Sequence, residues 1–278
     1  MSKTIFFDTY LGNGGKITCV DEYLKQQGSQ QESIILLGGF IQEFFNLLPN
    51  LHFRNKETFL LHPLNFCRDP FIKQILYEVE CEEAVIALLA MYLITQANDE
   101  VLEFKKNLDI GYLASESNLS EEELEVIEEV FAKSFKKTLI IGEDFYNSKK
   151  AENIARILAL ISQNLDIQIV FLESIKVQTS MTKTPISSIN EVYGIDGMVV
   201  YIQARDTIKS PYLEASKQFA RVGKVLNNQV INIQLDNRNL KVSFVENQFI
   251  KGMIGILWLP KKEKNSYCYK KISINKVA

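Results

Sequence analysis

The feature that most constrains this chain is a unit that occurs twice: a short apolar run, then glycine, then a helical pattern. The first copy is residues 34–37 followed by Gly38, and the second is residues 138–141 followed by Gly142. Such runs are typical of strands buried on both faces, and their alternation with helices predicts a parallel α/β sheet. Ligands of these sheets bind at the carboxyl ends of the strands, so both glycines are expected at the ligand edge.

The remaining pattern predicts further elements on both sides of the repeat. Strands are expected near residues 3–7, 58–61, 167–172 and 198–202, and helices near 16–27, 42–48, 82–95, 120–134 and 151–161. The polar stretch 174–191 predicts an irregular connection. We therefore expect an α/β domain over residues 1–206, with repeat units of about 1–100 and 118–206.

The pattern changes after about residue 209. Apolar and polar residues alternate over 231–235 and 240–244, which predicts a hairpin with a longer loop at 236–239. Two more strands are expected at 254–259 and 267–274. Residues 207–278 are thus predicted to form a small β-rich subdomain.

The strongest local signal is a helix start at Ser120. Glu123 follows three residues later, which is the pattern of a capping box, and Leu119 and Leu124 occupy the two positions of a hydrophobic staple. The carboxylates of residues 121–123 also complement the positive end of the helix dipole. We interpret this acidic cluster as helix capping rather than as a metal or catalytic site.

Composition excludes several classes of function. With 278 residues, 46% of them hydrophobic, and a net charge of −3, the chain is typical of a globular protein and offers no electrostatic argument for nucleic acid. The lysine-rich run 261–264 is interpreted as a solvated turn.

The longest apolar run, 84–94, is shorter than the roughly 20 residues needed to span a bilayer, so we expect a buried helix and no membrane insertion. Asp8 comes too early for a signal-peptide core.

Residues suited to catalysis or metal binding are few and scattered. The four cysteines, Cys19, Cys67, Cys81 and Cys268, contain no CxxC pair, which argues against zinc and iron–sulfur sites and favours a reducing compartment. His52 and His62 are the only histidines. We assign no catalytic, cofactor-binding or metal-binding residue from the sequence.

Two glycine patterns could suggest a nucleotide. The turn at residues 12–15 precedes Lys16, but Ile17 stands where a P-loop needs a hydroxyl, so a plain turn is favoured. No GxGxxG follows a predicted strand. The strand-end glycines could let a phosphate or planar cofactor approach the backbone, or could only permit tight turns, and the acidic pair Glu143 and Asp144 disfavours phosphate.

Several motifs taken together resemble the molybdopterin-oxidoreductase-like subunit of bacterial NADH:quinone oxidoreductase, the respiratory complex I. They are Asp8–Gly12, Ile110–Asn118, Gly142–Tyr146, Ala151–Arg156, Ser216–Ala220 and Lys251–Ile256. The resemblance is spread over most of the chain and is weakest at residues 174–206. None of these motifs is a catalytic signature.

The resemblance implies the molybdopterin-oxidoreductase superfamily, whose body contains two related, Rossmann-like α/β halves with parallel sheets. This chain lacks the clustered cysteines of the family's iron–sulfur domains and any Cys, selenocysteine or Ser that can be placed as a molybdenum ligand. The resemblance thus implies a cofactor-free, structural piece of the peripheral arm, on the cytoplasmic face of the inner membrane. Its expected partners are other peripheral-arm subunits, with the iron–sulfur clusters in partner regions. The alternative is a stand-alone α/β protein that binds a nucleotide or pterin at the strand-end crevice.

Overall fold

The structure is a computed structural model, and it describes residues 2–26, 31–48, 53, 56–96, 98–173, 183–261 and 266–275. The chain divides into two compact units. The first contains residues 1–63 and 67–194, and the second contains residues 64–66 and 195–278.

The first unit is an α/β domain with a five-stranded sheet. Its helices are α1 (Ser2–Gly12), α2 (Val20–Lys25), α3 (Ile41–Leu47), α4 (Glu82–Leu93), α5 (Asp99–Lys106), α6 (Ile110–Ser117), α7 (Glu121–Lys133), α8 (Glu143–Asn147) and α9 (Ala151–Asn164). Its strands are β1 (Glu32–Leu37), β2 (Glu57–Leu61), β3 (Ile72–Ile75), β4 (Lys136–Ile141) and β5 (Gln168–Phe171).

All neighbouring strands of this sheet are parallel, in the order β3-β2-β1-β4-β5. Every residue of β1 is buried, as expected for a strand covered by helices on both faces. The predicted parallel α/β sheet is therefore confirmed. The two strand–glycine units are not centres of separate sheets, because β1 and β4 pair with each other in the middle of one sheet.

Helix α4 explains the long apolar run of the sequence. Ten of its twelve residues are buried, including residues of its first turn, so it is enclosed by the protein on nearly all sides. It packs against α9, α6 and α7. The predicted buried helix is confirmed.

Residues 3–7 were expected to form a strand, and this is wrong, since they lie in α1. Phe6, Phe7 and Tyr10 are buried while Ile5 is 44% exposed, which is a helical rather than an alternating pattern of burial. Ring contacts of Phe6, Phe7 and Tyr10 with Phe171 on β5 fix this helix to the sheet.

The second unit contains a closed barrel, with the strand order β10-β6-β11-β8-β9-β7. Its elements are β6 (Val199–Ala204), β7 (Tyr212–Ala215), α10 (Lys217–Gly223), β8 (Val230–Leu235), β9 (Arg238–Glu246), β10 (Ile254–Leu259) and β11 (Tyr269–Asn275). The strand expected at 198–202 was assigned to the α/β part, but β6 pairs with β10 and β11 of the barrel.

The barrel has an internal symmetry in its strand pairing. β6 is parallel to β10 and β7 is parallel to β9, while all other neighbours are antiparallel. The pairing pattern stays the same when β6 is exchanged with β9, β7 with β10, and β8 with β11. The barrel therefore consists of two topologically equivalent halves.

The hairpin between β8 and β9 is tighter than expected. Leu235 pairs with Arg238, so only Asp236 and Asn237 lie in the turn, and Asp236 has a φ of 49°. Aspartate tolerates this left-handed conformation, which two-residue hairpin turns require.

The capping box at Ser120 is confirmed. The amide of Glu123 donates to Ser120 Oγ over 3.3 Å, and the amide of Ser120 donates to Glu123 Oε2 over 3.1 Å. Leu119 and Leu124 are both fully buried, in agreement with the predicted staple.

We predict that Ser120→Ala lowers the free energy of unfolding by about 0.5–2 kcal/mol, because the amide of Glu123 loses its partner. Urea denaturation followed by circular dichroism measures this loss. Ser120→Asn, which keeps a capping oxygen, is the matched control and should stay close to the parent. An unchanged midpoint for the alanine variant would contradict the assignment of the cap.

Candidate functional site

Ligands of open α/β sheets bind where the strand order reverses, which in this sheet is the carboxyl edge between β1 and β4. Both strands end here in glycine turns, and the turns are bonded to each other. The amide of Gly142 donates to the carbonyl of Leu37 over 2.7 Å, and the amide of Asp144 donates to the carbonyl of Gly38 over 3.0 Å. The edge is thus closed by backbone hydrogen bonds between the two turns.

Glycine is required at this contact for steric reasons. A Cβ on Gly142 would lie 2.2 Å from the carbonyl oxygen of Gly38, and a Cβ on Gly38 would lie 2.3 Å from Cδ2 of Phe145. Gly38 also has a φ of 59°, which side chains rarely adopt. The close approach that the glycines permit is therefore between the two turns themselves.

The turns leave little accessible surface at this edge. Residues 38–40 and 142–148 are all buried, and Phe145 is fully enclosed. A nucleotide or pterin needs an open, concave site. In this structure the chain's own atoms fill the position that such a ligand would take.

Buried polar groups lie beside the closed edge, at the start of α4. Ser148 Oγ donates to Glu82 over 3.4 Å, and Asn153 Nδ2 donates to Glu83 Oε1 over 2.8 Å. Burial raises the pKa of Glu83, against the opposing effects of the Asn153 hydrogen bond and of Lys150. A raised carboxyl pKa can mark a general acid, but this carboxyl is engaged by an amide of its own chain.

Tyr77 is a second buried titratable group near this edge. Burial, with the nearby carboxylates of Glu82 and Asp144, raises the pKa of Tyr77 well above the usual value. Its hydroxyl has no hydrogen-bond partner among the residues that the structure describes. The hydroxyl thus stays protonated, and it is enclosed rather than presented to a cleft.

A cluster of charged and polar side chains connects neighbouring strands at the opposite, amino edge of the sheet. Glu32 on β1 accepts hydrogen bonds from the Tyr23 hydroxyl and from Thr138 Oγ1, each over 2.8 Å. It also forms ion pairs with Lys56 and Lys136. Burial would raise the pKa of Glu32, but the hydrogen bonds from Lys56, Thr138 and Tyr23 hold it below the usual value. The cluster joins β1 to β4 and to the residue before β2.

The glycine-rich turn at residues 12–15 does not form a phosphate site. It ends α1, where the amide of Gly15 donates to the carbonyl of Tyr10 over 2.9 Å. The Tyr10 hydroxyl donates to the carbonyl of Lys16 over 2.6 Å, so the turn closes on its own helix. A P-loop instead connects a strand to a helix.

The cysteines and histidines are not brought together. Cys19 is exposed, Cys67 is half-buried, Cys81 and Cys268 are buried, and no disulfide is formed by these four residues. Burial raises the pKa of Cys81 to about 12, so it is an unreactive thiol at neutral pH. Within the described ranges, no group of three or more His, Cys, Asp or Glu side chains could hold a metal ion.

Of the remaining residues singled out in the sequence, one is described and the others are not. His62 comes directly after β2 and is fully buried. His52, the lysine-rich run beyond residue 261 and the first part of the connection, 174–182, lie outside the described residues.

Two concave regions lie away from the strand-end edge. One is a cavity of about 160 Å³ between α5 and residues 185–189. The other is a wider groove of about 570 Å³ at the start of α7, lined by Asn118, Ser120 and the carboxylates of Glu121, Glu122 and Glu125. The first is smaller than the roughly 300–1,000 Å³ of ordinary small-molecule sites, and the second is acidic.

No family model matches the chain, and no curated protein matches it either. In the described part of the chain, no helix combines the length and the apolar character needed to cross a membrane.

The buried polar groups of this region were not identified from the sequence. Asn153 lies among the mainly apolar buried residues of α9, and Glu82 and Glu83 begin a helix that is buried on nearly all sides. A polar residue on a face that must be buried is a signal for an internal hydrogen bond. Its partners could not be inferred, since they lie far away in the sequence.

We predict that Gly142→Ala destabilises the protein by about 1–3 kcal/mol or more, because the added methyl meets a backbone oxygen that cannot rotate away. Gly142 has a φ of −93°, which alanine adopts readily, so the loss would report the steric contact alone. Urea denaturation measures it.

Gly111→Ala is the matched control, since its Cβ would meet only Asp109 Oδ1 at 3.8 Å within α6. This variant should be stabilised by about 0.5–1 kcal/mol. A neutral Gly142→Ala beside a stabilised Gly111→Ala would mean that the two turns are not packed as described.

A further prediction concerns Glu83. A raised pKa in the folded state means that the protonated form stabilises the fold below the unfolded pKa of about 4.3, and that this stability is lost as pH rises through the folded pKa. Glu83→Gln keeps the acceptor for Asn153 and cannot ionise. Its stability relative to the parent should therefore increase from pH 4 to pH 8.

Denaturation at several pH values tests this, with Glu83→Ala as the control that removes the acceptor and should be less stable than the parent throughout. A difference between Glu83→Gln and the parent that does not change with pH would refute the prediction.

Proposed function

We propose that this chain is a structural, cofactor-free part of the molybdopterin-oxidoreductase-like subunit in the peripheral arm of a bacterial NADH:quinone oxidoreductase, the respiratory complex I. In this role it supports electron transfer to quinone that partner subunits carry. The observation on which the proposal rests is the closed strand-end edge, where Gly142 packs against Gly38 and Phe145 is fully buried. A domain whose strand-end turns are packed against each other is suited to a scaffold.

The alternative, a stand-alone protein that binds a nucleotide or pterin at the strand-end crevice, is disfavoured by the same geometry. A ligand there would have to separate two turns joined by hydrogen bonds of 2.7 and 3.0 Å and displace a buried phenylalanine. Opening that contact would expose the Phe145 ring and leave the backbone groups of two hydrogen bonds without partners, which together costs on the order of several kcal/mol.

The architecture is compatible with the proposal. The parallel α/β unit and the β-rich unit agree with the α/β region and the β-rich subdomain that the pattern of apolar residues predicts. The proposed partners are other peripheral-arm subunits, whose regions would contain the iron–sulfur clusters. The proposed location is the cytoplasmic face of the inner membrane, in peripheral association.

Affinity purification tests the proposal. A tagged chain, expressed at its native level in the source organism, is recovered from detergent-solubilised membranes, and the captured proteins are identified by mass spectrometry. We expect peripheral-arm subunits of complex I and NADH:quinone turnover in the captured material. The purified chain alone should show neither turnover nor bound iron, molybdenum or zinc.

An unrelated protein with the same tag controls for capture by the resin. Recovery of the chain as a monomer without complex I subunits, together with normal complex I assembly after deletion of its gene, would contradict the proposal. Stoichiometric metal in the purified chain would contradict its cofactor-free character.

A further inference from the structure

The described end of the polar connection, residues 183–194, lies in an unusual environment. It contains no helix or strand, and it belongs to the first unit. In the described part of the chain, no backbone group of residues 183–194 is hydrogen-bonded to another backbone group. This segment is held by side chains of other elements instead, as a bound peptide would be.

The central clamp is Asn153 on α9. The amide of Ser187 donates to Asn153 Oδ1 over 2.7 Å, and Asn153 Nδ2 donates to the carbonyl of Ser187 over 3.0 Å. One side-chain amide thus satisfies both backbone groups of a single residue, as a neighbouring strand would. Asn153 is itself buried and is oriented by its bond to Glu83, so the clamp is preorganised.

A second set of contacts recognises two hydroxyl groups three residues apart. Arg156 donates from Nε to Thr184 Oγ1 over 2.9 Å and from a terminal nitrogen to Ser187 Oγ over 3.0 Å. Asn13 accepts from the amide of Thr184 over 3.2 Å and donates to its hydroxyl over 3.3 Å. These contacts define a register for the segment.

Apolar side chains fill the positions between and beyond these hydroxyls. Ile186 and Ile189 pack against the core of the first unit, and Val192 is buried in it. The amide of Val192 donates to the Tyr112 hydroxyl over 3.0 Å, which fixes the far end of the segment. The cavity of about 160 Å³ beside residues 185–189 shows that the groove is not completely filled.

We propose that α9, together with Asn13 and Tyr112, forms a binding groove for extended peptides, which residues 183–192 occupy in cis. The ligand class is an extended segment with hydroxyl side chains three residues apart and branched aliphatic side chains between and after them. A partner segment with this pattern would bind by displacing residues 183–192. The inference is independent of the proposed function, since it rests on the contacts of residues 183–192 and not on the packing of the strand-end turns.

The tethered segment competes strongly with any peptide in solution, because a short connection corresponds to an effective concentration of about millimolar. The test therefore uses a variant with a weakened segment, Ile186→Asp with Ser187→Pro, which removes an apolar contact and the amide held by Asn153. The probe is a fluorescein-labelled peptide of residues 183–192, and fluorescence anisotropy measures its binding.

We expect the weakened variant to bind this peptide at least tenfold more tightly than the parent chain does. Adding Asn153→Ala to the weakened variant should reduce binding at least tenfold. Asn164→Ala is the matched control on the same helix, since its side chain contacts Asn98 and Leu160 instead, and it should leave binding unchanged. A peptide with Ser187→Pro should not bind.

The proposal is overturned if the weakened variant keeps its circular dichroism and binds no peptide, or binds the Ser187→Pro peptide equally well. If that variant fails to fold, hydrogen exchange of the parent chain decides. The amides of Thr184, Ser187 and Val192 should exchange together and faster than those of Ile154 and Leu158. Exchange of both groups only at the rate of global unfolding would show that the segment cannot leave the groove.

Discussion

The contact between Gly142 and the carbonyl of Gly38 is the constraint on which the rest of the first unit depends. It brings the ends of the two central strands together, and the hydrogen bond from Gly142 to Leu37 extends the pairing of β1 and β4 into the turns. Any side chain at position 142 would overlap that carbonyl. The burial of α8 follows from this approach, because Phe145 is enclosed against Gly38 once the turns meet.

The same contact explains why a sheet with the strand order of a ligand-binding fold has no open ligand edge. Open α/β sheets bind ligands where the strand order reverses, and here that position is occupied by the chain itself. At the amino edge, the charged groups around Glu32 also join adjacent strands, through hydrogen bonds and ion pairs. Both ends of the central strands are thus joined by contacts within the chain, and the proposal of a scaffold role rests on these contacts.

Much of this fold could be predicted from the sequence, and the failures have physical causes. The central strands, α4, the cap at Ser120 and the core face of α9 follow from local patterns of burial and capping.

Strand β3 was missed because Lys73 and Gln74 interrupt its short apolar pattern. Helix α1 was mistaken for a strand, since a run of consecutive apolar residues does not distinguish the two periods. The assignment of residues 198–202 failed because strand partners far along the chain, not local pattern, decide which sheet a strand joins. The sequence did not decide between ligand binding and tight turns at Gly38 and Gly142. The reason is similar, because no local pattern shows whether a strand-end glycine faces a ligand or another glycine.

The most direct test of the account is a nuclear magnetic resonance titration of the labelled chain. The amide signals of Gly38, Gly39 and Gly142 are followed while ATP, NADH, GMP and a reduced pterin are added in turn at millimolar concentration. If the turns close the edge as described, these signals stay in place, and their hydrogen exchange is as slow as that of the β1 and β4 amides. A saturable shift confined to these glycines, for any of the four ligands, would show that the edge opens to a ligand and would contradict the account.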